Sequence, residues 1–321
     1  MLFFFGCILL GLVLLVILFV FATSETYAKF DFFEEEKSYF NPATKDRKPF
    51  PSIEDKPSVL LSVIIPAYNE EARLPAMLDE CISYLESQLN SNSQLTYEVL
   101  IVDDGSTDKT TQVALRYSLK YGCDKVRVMS LVRNRGKGGA VRLGMLSSRG
   151  QQLLFADADG ATKFGDITKL QENLKQLING GSLEETLALV CGSRAHLEQD
   201  AIATRSVFRT FLMKGFHFLV WLFAARSIKD TQCGFKLMTR PTARLCFPNL
   251  HIERWAFDVE LIYIAEYLKI PAGEVAVRWT EIEGSKIVPV WSWLQMGRDL
   301  ILIWLRYSTG AWKLRSHEKT H

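Results

Sequence analysis

From residue 59 onward, the apolar positions of the chain fall into two patterns that take turns. Residues 59 to 65, in VLLSVIIPAYNEE, form a near-continuous apolar run rich in β-branched residues. That is the mark of a strand buried on both faces, and Pro66 is expected to stop it. Leu74, Leu78, Cys81, Ile82, Leu85 and Leu89 then recur at helical spacing until NSNS, residues 90 to 93, breaks the pattern. YEVLIVDDGSTD predicts a strand entering a turn, followed by a helix over 109–121 closed by Gly122. VRVMSLV reads as a third strand, 138–148 as a third helix and QQLLFA as a fourth strand. A helix over 166–178 and a strand over 186–192 follow. Strand and helix in alternation predict a parallel α/β sheet of the nucleotide-binding kind.

The two ends of the chain have a different pattern. Residues 1 to 22 carry no charge. At ~1.5 Å per residue, some 20 such residues match a hydrocarbon core about 30 Å thick. No basic residue precedes the run, and it is long for a cleaved leader, so the expectation is a transmembrane anchor. Lys29, Lys37, Lys45, Arg47 and Lys48 follow it, which puts the rest of the chain in the cytosol. Residues 23–58 are polar and contain Pro42, Pro49, Pro51 and Pro57, the composition of a juxtamembrane linker. The folded domain is expected over 59–286.

All seven tryptophans lie from Trp221 to Trp312. Residues 211–225 and 287–312 are strongly apolar but interrupted by charges, so neither is a good span. Both suit helices lying in a membrane interface, and 287–321 is expected to form membrane-interface helices and a tail. With a net charge of +2 over 321 residues and no long basic run, nucleic acid is not suggested as a partner. Six cysteines without a CxxC pair read as buried, reduced thiols.

Ligands of such sheets sit at the C-terminal ends of the strands, and the notable polar residues fall there. They are Tyr68-Asn69-Glu70, Asp103-Asp104, residues 134 to 137, and Asp157 with Asp159. In LLFADADGAT the two carboxylates have only Ala158 between them. Such a pair suits a hard divalent cation with oxygen ligands, Mg²⁺ or Mn²⁺. NRGKGG is no NTPase loop, since Leu131 stands where the first glycine belongs and Gly138 follows Lys137. A glycine-rich turn opening a helix, with one lysine, still suits a pyrophosphate. No GxGxxG follows the first strand, which argues against a dinucleotide oxidoreductase. Asp258 lies four residues after Arg254, the spacing of an ion pair on a helix face.

SVIIPAYNEE, VLIVDDGSTDKT, NRGKGGAVRLG, FADADGAT, CGSRAHL, KDTQCGFKL and ERWAFDVELIYIA, in this order, resemble the inverting family-two glycosyltransferases with the GT-A fold. The resemblance runs over roughly residues 59 to 313. It implies a Rossmann-like, nucleotide-sugar-binding sheet flanked by helices. Pro66, Tyr68 and Glu70 would line the uridine pocket, and Asp104 beside Asp103 would accept a hydrogen bond from the uracil or ribose. Lys137 would face the diphosphate. Asp157 and Asp159 would hold the metal, and Asp258 would be the acidic residue near the acceptor. Arg194, in a GSR segment, would hold a lipid phosphate, with Arg205 and Arg209 as the second choice. Related mannosyltransferases commonly read DAD-Leu-Gln at the metal loop; Gly160 and Ala161 here resemble the glucosyl branch. The implied reaction moves glucose from UDP-glucose to dolichyl phosphate, with inversion, at the endoplasmic reticulum membrane. GDP-mannose as donor, and a nucleotide-sugar-binding protein without turnover, are the rival readings.

Overall fold

The computed structural model describes residues 2–91, 95–195, 228–282, 284 and 291–315. Its centre is a seven-stranded sheet of β3 (Val59–Ala67), β4 (Tyr97–Asp103), β5 (Val126–Ser130), β6 (Gly150–Ala156), β7 (Leu189–Ser193), β8 (Phe235–Thr239) and β9 (Ala272–Ala276). The spatial order is β5-β4-β3-β6-β8-β7-β9. Alternation along the strands feeds two cores. Val63, Ile65, Val99 and Ile101 join one face with α2 (Leu74–Ser91), α3 (Thr110–Tyr121) and α5 (Ile167–Ile178). Ile64, Leu100 and Val102 join the other face with α4 (Lys137–Leu146), α6 (Arg240–Cys246), α7 (Phe257–Tyr267) and α8 (Trp291–Ser308). Helices therefore cover both faces, and the strand ends are left to carry chemistry.

Three expectations are corrected here. The sheet is mixed rather than parallel, because β8 runs antiparallel to both β6 and β7. A strand inserted that way needs no crossover helix, so the strand-helix rhythm gives it no signal. Pro66 does not end β3; it pairs in register with Val102. Pairing with β6 has already finished at Ile64, so the missing proline N–H costs no ladder bond on that side.

The third correction concerns 23–58, which folds onto the domain instead of standing off it. Phe30, Phe32 and Phe50 pack against the core, and Ile53 is part of it. A short hairpin, β1 (Ser38–Asn41) with β2 (Asp46–Pro49), lies between them. Arg240 donates to the carbonyls of Ser52 and Asp55, both at 2.9 Å. The aromatic side chains supply burial that the polar average of the segment conceals.

α1 (Leu2–Ala22) is one uncharged helix with Phe4, Phe5, Leu15, Leu18 and Phe19 strongly exposed. The side chains of 2, 3, 6–10 and 13 are outside the description, and among the described residues no helix is long and apolar enough to cross a membrane. The spanning helix expected from the sequence is therefore not carried by the structure. α8 has two faces: Leu300 and Ile303 are buried, while Ile301 and Trp304 are partly exposed. Beyond it, the Lys313 N–H donates to Thr26 O at 2.8 Å and Arg315 Nη2 to Ala28 O at 2.8 Å, tying residues 313–315 to the start of the 23–58 segment, which forms a strap over the domain. Residues 211–225, and with them Arg205 and Arg209, lie outside the described residues.

Candidate active site

β3, β4 and β6 lie side by side and end together, so the turns that follow them meet. After β3, Asn69 adopts a left-handed backbone, φ 53°, and its N–H donates to Ser106 Oγ at 2.9 Å. This ties the Tyr68-Asn69-Glu70 turn to the DDGS turn. Tyr68 is partly exposed, as a side chain facing a ligand would be. Glu70 is buried and takes a guanidinium, with Arg73 Nε 2.6 Å from Oε2. Arg73 titrates above its ordinary value: burial pulls it down, but Glu70, and beyond it Asp159 and Asp157, outweigh that.

At the end of β4 the two aspartates do different work. Asp103 accepts from the Ser106 N–H at 3.0 Å and from the Thr111 hydroxyl, so it builds the turn. Asp104 accepts the N–H groups of Arg135 at 2.7 Å and Gly136 at 2.9 Å, binding the loop after β5 to the end of β4. Burial pushes its carboxyl up to about 6, against those two hydrogen bonds, with the Asp103 charge adding to the rise. Gly105, at φ +70°, has no room for a side chain, since a Cβ would stand 2.9 Å from Asn134 N.

The DxD turn follows β6. Lys137, at the start of α4, puts Nζ 2.6 Å from Asp157 Oδ1. Asp159 Oδ1 accepts from the Ala161 N–H at 3.0 Å. Its pKa is raised by burial and by Asp157. Among the described residues, Oδ2 of each aspartate accepts no hydrogen bond, and no group of three or more His, Cys, Asp or Glu could hold a metal. Two half-exposed carboxylates with free oxygens fit a hard cation that fills its other positions with water and phosphate. The loop beyond is fixed by 278–280: the Thr280 N–H donates to Ala161 O at 2.9 Å and the Lys163 N–H to Arg278 O at 3.0 Å.

Asp258 does not pair with Arg254. It is buried on α7 with Lys236 Nζ 2.5 Å away, and Lys236 also donates to Cys233 O at 2.7 Å. Burial disfavours the lysine charge, and the Asp258 carboxylate more than offsets it. Arg194 directly follows β7 and forks onto Asp230, with Nε–Oδ2 and Nη2–Oδ1 both 2.8 Å and the Trp279 ring 5.6 Å away. Asp230 is itself set by Glu274, which accepts the N–H groups of Lys229 and Asp230.

Residues 62–242 match a protein family described as Glycosyl transferase family 2. The chain belongs to that family. Its curated relatives are more specific. It is 64% identical over 286 residues to the dolichyl-phosphate beta-glucosyltransferase of Drosophila melanogaster, covering 89% of this chain and 87% of that one. The Homo sapiens protein of the same name is 59% identical over the same shares. The chain is thus a glycosyltransferase of the dolichyl-phosphate beta-glucosyltransferase group. Among solved structures it is similar to glucosyl-3-phosphoglycerate synthase from Mycobacterium tuberculosis, with Mn²⁺, UDP and phosphoglyceric acid, at 20% identity and a TM-score of 0.49 over 81% of each chain.

Of the residues singled out in this glycosyltransferase sequence, Tyr68, Glu70, Asp103, Asp104, Lys137, Asp157 and Asp159 gather on the ends of neighbouring strands. Arg194 and Asp258 flank them from β7 and α7. Sequence reasoning missed Arg73, Asp230 and Lys236. The last two stand inside KDTQCGFKL, and a charged residue in an otherwise apolar strand was the available signal for Lys236.

Proposed function

We propose that the protein transfers glucose from UDP-glucose to dolichyl phosphate with inversion, giving a β-linked lipid phosphosugar. The observation that carries this reading is the convergence of Asp104, Lys137 and the Asp157–Asp159 pair at the ends of β4, β5 and β6, three of four neighbouring strands. Asp104 and Tyr68 suit the uridine. Lys137, at a glycine-rich helix start, suits the diphosphate. Asp157 and Asp159 would hold Mg²⁺ or Mn²⁺, which when bound offsets the charge developing on the leaving UDP.

The acceptor needs no proton removed. A phosphate monoester has a second pKa of about 6, so its attacking oxygen is already anionic in the cytosol. A free carboxylate base is therefore unnecessary, which agrees with Asp258 being clamped by Lys236. What the reaction does need is a cation to hold one anion beside another. Arg194 suits that role: Asp230 orients it through Nε and Nη2, while Nη1 has no hydrogen bond among the described residues.

The acceptor's polyprenyl chain keeps the reaction at a bilayer. The apolar α1, with no charge in 21 residues, and the exposed Ile301 and Trp304 of α8 support attachment there. The reading includes a single anchor over 1–22 in the endoplasmic reticulum membrane and a cytosolic catalytic domain. A glycan on an acceptor site engineered between residues 23 and 28 would reverse that topology. Donor choice is tested by giving detergent-solubilised protein radiolabelled UDP-glucose or GDP-mannose with dolichyl phosphate and Mg²⁺. Lipid-phase label from UDP-glucose supports the reading. Label from GDP-mannose alone, or UDP-glucose binding without product, overturns it.

A further inference from the structure

We propose that Glu36, in the strap between α1 and the sheet, is a positioning residue for the nucleotide site. The strap then belongs to the donor-binding machinery rather than serving as a tether. This rests on the reading that Asp104 faces the nucleotide.

Glu36 is fully buried, far outside the family match, and both its oxygens are engaged. Oε1 accepts the Val132 N–H at 3.0 Å. Oε2 accepts the Phe33 N–H at 3.0 Å and Arg135 Nη2 at 2.8 Å. Arg135 Nη2 also donates to Asp31 O at 2.7 Å, and its guanidinium lies 5.2 Å from the centre of the Phe33 ring. The Arg133 guanidinium lies 5.4 Å from the same ring. The strap therefore grips 132–135 from one side.

The opposite side of that loop carries the hydrogen bonds to Asp104, from the N–H groups of Arg135 and Gly136. Arg135 is thus held twice, by its side chain in the strap and by its backbone at the nucleotide carboxylate. The loop has little slack. Gly136 sits at φ +84°, and a Cβ there would meet Glu253 O at 2.8 Å. Losing the Glu36 carboxylate leaves a buried guanidinium without its counter-charge and the Val132 N–H without an acceptor. The cheapest relief is movement of Arg135 toward water, which draws its N–H away from Asp104. The strap starts directly after α1, so the segment that leaves the membrane helix is the one that sets the donor loop.

The test uses the full chain in detergent, with UDP affinity measured by calorimetry and donor and acceptor varied separately in steady-state kinetics. Glu36→Gln is expected to weaken UDP binding, and to raise KM for UDP-glucose, by about tenfold, the scale of partners one shell removed from a ligand. KM for dolichyl phosphate should stay unchanged. Arg135→Lys, which keeps the charge but not the double grip, should give the same split. Arg240→Ala loosens the other end of the strap at Ser52 and Asp55; it should lower thermal stability and leave UDP affinity as it was. Unchanged UDP affinity in folded Glu36→Gln and Arg135→Lys would overturn the proposal. So would a matching loss in Arg240→Ala, which would make the effect one of stability. Wild-type protein that binds no UDP would instead remove the reading of Asp104 itself.

Discussion

Gly234 leaves open the space that the Asp157 carboxylate fills. A Cβ placed on Gly234 would lie 2.0 Å from Asp157 Oδ2, and the Gly234 carbonyl accepts the Asp157 N–H at 3.0 Å. The glycine of TQCGF is therefore what lets the first DxD carboxylate lie against β8. Gly234→Ala should displace that carboxylate and lower kcat by about 10², the cost of a misplacement near 1 Å, in a protein that still folds. Near-normal kcat would mean that Asp157 is not needed in its observed position.

Asp104 gives the site a pH dependence. Its folded carboxyl titrates near 6, above the ordinary aspartate value, so its ionised form costs stability at higher pH. On this group alone the fold gains stability as pH falls through 6 toward the ordinary carboxylate range. Nucleotide binding should run the other way, because the ionised carboxylate is the stronger acceptor for the hydrogen bond from the base or ribose. UDP affinity should fall below pH 6, by at most about tenfold per unit. Asp104→Asn should remove that component and leave only the slope from the phosphate, whose own second pKa is about 6. Equal slopes in both proteins would exclude Asp104.

Lys236 and Asp258 form a buried pair that should dominate stability more than rate. Lys236→Met leaves a carboxylate without a counter-charge and should cost about 3–5 kcal/mol in urea unfolding. Replacing both residues with apolar ones should recover much of that loss. Asp258→Asn should slow transfer less than Asp157→Asn does. If the two are equally inactive while folded, an essential carboxylate exists at the acceptor and the reading of an already ionised nucleophile fails.

Arg194→Ala should raise the KM for dolichyl phosphate strongly while UDP affinity stays near normal. Asp230→Asn should do the same more weakly, since Asp230 only aims the guanidinium. A fall in stability with an unchanged acceptor KM would confine both residues to holding β7 against the loop before β8.

Much of the site was legible because its parts are local. Each motif follows a strand, and the strand runs are mostly apolar stretches with carboxylates just past their ends, so Asp104, Asp157 and Asp159 are visible in the sequence itself. What was not legible depends on distant partners. β8 is five residues long and enters antiparallel, leaving no periodicity to read. The Asp230–Arg194 and Lys236–Asp258 pairs join segments 36 and 22 residues apart. The strap looked like a linker because its prolines and charges outweigh its aromatics in any average. Phe30, Phe32 and Phe50 were the signal, since solvated linkers rarely carry so many.

The most direct test is transfer of label from UDP-glucose into the lipid phase with dolichyl phosphate, run on wild-type protein with and without a chelator, and on Asp159→Asn. We expect wild-type product that disappears with the chelator and returns with Mg²⁺ or Mn²⁺. Asp159→Asn should be slower by at least about 10² at saturating metal, with unchanged thermal stability, as for loss of a preorganised charge partner. Full transfer in the presence of chelator, or a near-normal rate in Asp159→Asn, would contradict a metal held by the aspartate pair as the support of the leaving diphosphate.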